Sequence, residues 1–277
     1  MPSPFDIRFD GAILRGESDG FGIPVVFLHA GVADRRMWAP QMEELASAGY
    51  HVVSYDRRGF GETEAPNEPF SHLVDLEAVL DQLDIHAAVL IGCSRGGGLA
   101  VDFAVENPER TIGLVLVGTS ITGAEWPEQP EEIAMVEDAL DYARERGDLE
   151  LVNKIEAHLW LDGPLSKSGR VGGEARELFL DMNRIALNHP ELTHEEPADP
   201  AADIVSTLTT PTLLVVGDLD YPAIIERHDE LSEELENGFA VVIEGTAHLP
   251  SLERPDLFNP LLREFLDALS GGRAEEA

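Results

Sequence analysis

The sequence predicts an α/β protein: one largely parallel sheet with helices on both faces and a helical insertion after the sixth strand. Three observations carry this. Short β-branched apolar runs alternate with helical patterns over most of the chain. That rhythm breaks once, between about Thr122 and Pro200, where no strand signal appears. The length, 277 residues, suits one large α/β domain carrying an insertion.

The elements follow in order. A hairpin is expected at Phe5–Phe9 and Ala12–Arg15, turned at Asp10-Gly11. Further strands are expected at Val25–Leu28, His51–Tyr55, Ala88–Ile91, Leu114–Val117, Thr212–Val216 and Phe239–Ile243, eight in all. Helical patterns lie between them, near Met37–Ala48, Ser71–Leu83, Gly96–Glu106, Pro222–Glu236 and Pro255–Leu269. Within the break, Pro130–Arg146, Leu149–Leu161 and Glu174–Asn188 read as helices joined by Gly/Pro-rich turns. The expected organisation is a core, 1–121 and 201–277, with a helical cap over 122–200. The tail Gly271–Ala277 is expected to fray.

Composition removes whole classes of function. Lys+Arg is 19 against 53 Asp+Glu, a formal net charge of −34, and Lys154 and Lys167 are the only lysines. Such a surface repels phosphate backbones and anionic lipid, so neither nucleic acid nor membrane is expected as a partner. The charge reads as a solubility device, with adaptation to high salt as one explanation and an ordinary acidic protein as the other. A single cysteine excludes an internal disulfide framework and a multi-thiolate metal site. The opening MPSPFDIRFD lacks the basic and apolar regions of a signal peptide, and no apolar run nears the ~18 residues that span a bilayer. A cytoplasmic protein is expected, monomeric or homodimeric, acting on a small molecule.

The strongest local signal is Gly92-Cys93-Ser94-Arg95-Gly96, a G-x-S-x-G run with an apolar strand before it and a helical pattern after it. A strand turning sharply into a helix strains the apex residue, and small neighbours relieve the crowding. Ser94 then projects its hydroxyl above the sheet at the positive end of a helix. The plainer reading is a glycine-rich turn, for instance a phosphate cradle; a dinucleotide G-x-G-x-x-G does not fit with Cys93-Ser94 in the turn. Cys93, one residue before the apex, is expected to point into the core as a small hydrophobe.

A serine needs a general base. Of the nine histidines, His248 follows the last strand and precedes the last helix, on the edge where a parallel sheet gathers its ligands. His51, His72, His86, His158, His189, His194 and His228 lack that placement and read as surface residues; His29 reads as a structural pin at a strand end. The base needs an orienting carboxylate. Asp218 and Asp220 both follow the seventh strand; Asp218 suits the turn, and Asp220, deeper in the loop, suits the acid role. The order serine, acid, histidine is one of the known triad orders. Backbone N–H groups of Gly31, after an early strand, and of Arg95, after the nucleophile, are the expected oxyanion donors. Trp126 and Trp160, with Met135 and Phe179, are candidate pocket residues, each also readable as packing of the cap helices, and Trp38 is a further pocket candidate.

Taken together, these motifs resemble the α/β-hydrolase superfamily along nearly the whole chain. His29-Ala30-Gly31 followed by Trp38 is similar to the family's oxyanion loop, with alanine where glycine is more usual. Tyr55-Asp56-Arg57-Arg58-Gly59-Phe60-Gly61-Glu62-Thr63 is similar to its Asp-x-Arg-Gly-x-Gly-x-Ser turn, with Thr63 in the serine place. Gly92 to Gly97 looks like the nucleophile elbow, Gly217-Asp218-Leu219-Asp220 like the acid loop, and Ala247-His248-Leu249-Pro250 with Glu253 and Pro255 like the histidine loop. The resemblance implies an α/β-hydrolase fold, the family's acid on Asp220, a cap that shapes specificity, and no metal or organic cofactor. A serine apex sets the chain apart from the dehalogenases and epoxide hydrolases, which carry aspartate there. Arg95 departs from the tryptophan of the prolyl aminopeptidases. Expected is a serine hydrolase of small carboxylic esters or lactones. Carbon–carbon bond hydrolases, cofactor-free haloperoxidase-like enzymes and a non-catalytic receptor on the same fold remain as alternatives.

Overall fold

The computed structural model describes residues 2–275. Eight strands form one sheet in the order β1-β2-β4-β3-β5-β6-β7-β8. They are β1 (Ser3–Phe9), β2 (Ala12–Asp19), β3 (Pro24–Leu28), β4 (His51–Tyr55), β5 (Ala88–Cys93), β6 (Thr111–Val117), β7 (Thr212–Gly217) and β8 (Gly238–Ile243). β1 pairs antiparallel with β2, and β2 with β4; every pairing from β4 through β8 is parallel. The fold is that of an α/β hydrolase.

Alternation along each central strand sets the two cores. Val26 and Leu28 of β3 face one apolar layer with Leu90, Leu114 and Phe103, whereas Val25 and Phe27 face the other with Ile91, Val115 and Phe258. All six residues of β5 are buried, as a strand covered on both faces requires. Helices α1 (Ala39–Ser47), α2 (His72–Gln82) and α3 (Arg95–Glu106) connect the first parallel strands. Between β6 and β7 the chain forms α4 (Glu131–Glu145), α5 (Leu149–Glu156), a π turn over Ala157–Asp162 and α6 (Gly173–Asn188). After β7 come α7 (Pro222–Glu234), α8 (Pro250–Glu253) and α9 (Pro255–Glu275).

Two expectations are corrected. The first hairpin is longer than its apolar pattern, because β2 continues to Asp19 by pairing with β4, whose Val52 lies opposite Asp19. The last helix is longer than the expected Pro255–Leu269: α9 runs to Glu275, and the end of the tail expected to fray, Glu276 and Ala277, lies outside the described residues.

The C-terminal ends of the parallel strands lie along one edge of the sheet, which sets the floor of the candidate site. Leu28 of β3 lies opposite Gly92 of β5, Cys93 opposite Val117 of β6, and Gly217 of β7 opposite Ile243 of β8. The loops leaving these ends carry His29–Gly31, Ser94, Gly118, Asp218–Asp220 and His248 to the same rim.

Candidate active site

β5 hands the chain to α3 through a single residue. Ser94 has φ 55° and ψ −121°, and is one of three non-glycine residues with positive φ among those described. The turn is held by two bonds: Ser94 N–H donates to the Val117 carbonyl at 2.9 Å, and Gly98 N–H to the Ser94 carbonyl at 3.0 Å. Space allows nothing larger than glycine beside it. A Cβ on Gly92 would lie 2.3 Å from the Gly96 carbonyl oxygen, and one on Gly96 would lie 2.3 Å from that of Leu28. Cys93 is fully buried, 3.6 Å through its sulfur from the His248 carbonyl, and burial pushes its thiol well above the ordinary range. It is the small core residue expected.

Both aspartates after β7 have a partner, and the partners separate their roles. The Asp220 Oδ2 accepts from His248 Nδ1 at 2.8 Å, while its Oδ1 accepts from the Tyr221 N–H at 2.8 Å. A carboxylate only accepts, so Nδ1 of His248 carries a proton, and in the neutral imidazole Nε2 is then the acceptor. That Nε2 is buried and has no hydrogen-bond partner among the described residues, and His248 and Ser94 line the same cavity. Asp218 instead accepts from the Gly245 N–H at 2.6 Å and ties the β7 turn to the β8 turn.

Sequence reasoning missed Gly118. At φ +50° it passes so close to the pair that a Cβ there would sit 2.9 Å from His248 Nδ1 and 3.1 Å from Asp220 Oδ2. A lone glycine after a strand carries no signal of this, because its purpose lies in two distant loops.

The cavity above Ser94 and His248 measures about 830 Å³. Gly31 and Arg95 line it, and no hydrogen bond of a described residue takes up either backbone N–H. Trp126 and Trp160 line it as well, from the segment between β6 and β7. Trp160 packs on His248 and on Tyr221, each with ring centroids 4.7 Å apart, and Trp126 lies 5.5 Å from Tyr221. The Tyr221 hydroxyl bonds the Glu137 carboxylate; burial, then that carboxylate, push the phenol above its ordinary range.

Trp38 is corrected. It lies outside the cavity, buried between Phe27 at 5.3 Å and Phe258 at 6.3 Å, since its 3₁₀ turn faces the lower layer of the sheet. Met135 points outward and Phe179 packs in the core. His29 is the pin expected, with Nδ1 2.8 Å from the Ala30 carbonyl and Nε2 accepting from the Arg57 N–H at 3.0 Å. His72 and His228 are not surface residues: both are buried, His72 against Phe70 and His228 beside Asp229.

The remaining motifs brace the rim. Asp56 accepts from the Arg35 N–H at 2.8 Å and the Glu62 N–H at 2.9 Å, and Thr63 donates to its carbonyl at 2.6 Å. Glu253 accepts from the Ala247 N–H at 2.8 Å and from the Arg170 guanidinium at 2.5 Å. Arg170 also reaches the carbonyls of Leu161, Asp162 and Gly245, so it joins the inserted segment to the histidine loop.

A family model described as "Alpha/beta hydrolase family" matches residues 25–261. The chain belongs to that family. Several members share its architecture. A thermophilic esterase from Thermogutta terrifontis superposes with a TM-score of 0.76 at 26% identity, covering 96% of this hydrolase and 99% of that chain. The enol-lactonase from Burkholderia xenovorans LB400 is similar in fold, with a TM-score of 0.73 at 23% identity over 93% of this hydrolase and 98% of that chain. The protein YisY of Bacillus subtilis is 23% identical over 264 residues, 90% of this hydrolase and 93% of that protein. Among the described residues of the hydrolase, no helix is long and apolar enough to cross a membrane.

Proposed function

We propose that this hydrolase cleaves small carboxylic esters or lactones through an acyl-enzyme, with Ser94 as nucleophile, His248 as general base and acid, and Asp220 as its orienting partner. The observation that carries the reading is His248 itself, its Nδ1 bonded to Asp220, its buried Nε2 without a partner among the described residues, on the cavity that Ser94 also lines.

The steps follow from these groups. His248 Nε2 takes the hydroxyl proton as Ser94 Oγ bonds to the carbonyl carbon. The carbonyl oxygen becomes an alkoxide, held by the N–H groups of Gly31 and Arg95; one such donor contributes roughly 3–4 kcal/mol in the transition state. Collapse breaks the bond to the alcohol oxygen, which leaves with the proton from Nε2. Water then gives its proton to the same nitrogen and attacks the acyl carbon, freeing the acid and Ser94. Asp220 keeps the imidazole in the right tautomer and stabilises it when charged. In this scheme 1–121 and 201–277 form the catalytic core, and 122–200 is the cap that places Trp126 and Trp160 over the bound ester.

Hydrolysis of 4-nitrophenyl acetate by the wild type and by Ser94→Ala tests the assignment. Turnover is expected in the wild type and loss to background in the variant; equal rates in the two remove the triad.

A further inference from the structure

The walls of the cavity carry an asymmetry that bears on which ester enters. Contacts order the space outward from the chemistry: His248 meets Trp160, Trp160 meets Tyr221, and Tyr221 meets both Trp126 and Glu137. An aromatic stretch therefore leads from His248 to the Glu137 carboxylate. Six carboxylates line the cavity: Glu125, Glu137, Asp141, Glu156, Glu226 and Glu230. Three arginines line it too, and each is already occupied. Arg95 is 3.2 Å from Glu195, Arg144 is 2.8 Å from Glu156 and 3.4 Å from Asp141, and Arg227 is 3.0 Å from Glu230. Glu125, Glu137 and Glu226 have no cationic partner among the described residues.

The excess of acid alone decides nothing, since the whole chain has 53 acidic against 19 basic residues. What decides is pairing. A substrate bearing a carboxylate needs a cation free to receive it, and here each cation has been taken up by a carboxylate of the protein. Such a substrate would meet carboxylates that no arginine of the cavity pairs with. An organic ammonium meets the opposite: a wall built by Trp126, Trp160 and Tyr221, then carboxylates without a cationic partner.

Resting on the ester-hydrolase reading, we infer that the cavity selects an ester whose remote group is an organic cation and rejects one whose remote group is a carboxylate.

Three 4-nitrophenyl esters of matched shape test the inference: the 4-(trimethylammonio)butanoate, its neutral isostere 5,5-dimethylhexanoate, and the anionic adipate monoester. The cationic ester is expected to exceed the neutral one about tenfold in kcat/KM, and the anionic one to fall about tenfold below it. Glu137→Gln and Glu226→Gln should each shrink the cation preference, while Glu106→Gln/Glu109→Gln, remote at the C-terminal end of α3, should leave it unchanged. A second readout needs no turnover. Calorimetry on the wild type compares choline, 3,3-dimethylbutan-1-ol and 4-hydroxybutanoate, and choline is expected to bind tightest. Equal binding of the three, an anionic ester as good as the cationic one, or an equal loss in the remote variant would overturn the inference. Absence of Ser94-dependent turnover of 4-nitrophenyl acetate alongside choline-selective binding would instead overturn the ester-hydrolase reading alone.

Discussion

The indole of Trp160 lies against the imidazole of His248, ring centroids 4.7 Å apart and planes inclined at 47°. The two residues come from elements far apart in the chain, one from the π turn after α5 and the other from the loop after β8. The indole covers the base from above while Asp220 grips it from the side, so the ring has few other positions to adopt. Trp160→Ala is expected to lower kcat by roughly 10- to 100-fold through loss of alignment, and Trp160→Phe to restore most of it. Steady-state kinetics on 4-nitrophenyl acetate will show whether the loss falls on kcat, as alignment requires, or on KM alone.

The two aspartates after β7 should behave in opposite ways. Asp220→Asn removes the acceptor that fixes the His248 tautomer and should cost kcat about 10,000-fold with the fold intact. Asp218→Asn weakens one turn bond to Gly245 and should cost about 1 kcal/mol of stability with turnover nearly unchanged. The reverse ranking would show that the acid has been misassigned.

Arg170 and Glu253 link the inserted segment to the histidine loop. The Glu253 side chain is only 2% exposed and that of Arg170 23%, so removing either strands a polar partner that water reaches poorly. Arg170→Ala and Glu253→Gln should each destabilise by about 3 kcal/mol, and the double variant should lose clearly less than the sum. Denaturant titrations of the four proteins give the coupling; strict additivity would show that the two side chains act separately.

Asp102 on α3 is 8% exposed, and burial, partly offset by the Thr122 hydroxyl at 2.8 Å, raises its carboxyl to about 6. A native-state value above the ordinary one means that the folded protein holds the extra proton between about pH 4 and 6. The group therefore costs stability progressively as pH climbs through that window, and fully above it. Asp102→Asn should raise the melting temperature by about 2–4 °C at pH 8 and leave it almost unchanged at pH 4. Calorimetry at the two values checks the sign.

A net charge of −34 on 277 residues implies self-repulsion that salt relieves. The melting temperature should rise steadily as KCl increases from 0.05 to about 1 M. A flat response would show that the carboxylates are spaced widely enough not to feel one another.

What the sequence revealed and what it hid divide along physical lines. The strand ends were legible because a doubly covered strand must be apolar throughout, as Ala88–Ile91 is. Ser94, Asp220 and His248 could be placed on one sheet edge because each lies within five residues of a strand's C-terminal end, so position along the chain fixes position on that edge. Trp38 was misread because an aromatic residue near a functional loop looks the same whether it faces the cavity or the sheet; only the direction of the 3₁₀ turn decides, and spacing does not encode it. Gly118 and the Arg170–Glu253 pair stayed hidden for a related reason. Their partners lie far away in sequence, and neither residue breaks a local pattern.

The elbow also bears on how this protein can change. The glycines at 92 and 96 are fixed by lack of room, because any side chain there meets a carbonyl at 2.3 Å. The side chain at 94 faces the cavity instead. Space thus conserves the turn while leaving the identity of its apex residue open. A single substitution at position 94 changes the group that meets the cavity without crowding the glycines that frame it, so the backbone here is held more tightly than the side chain it presents.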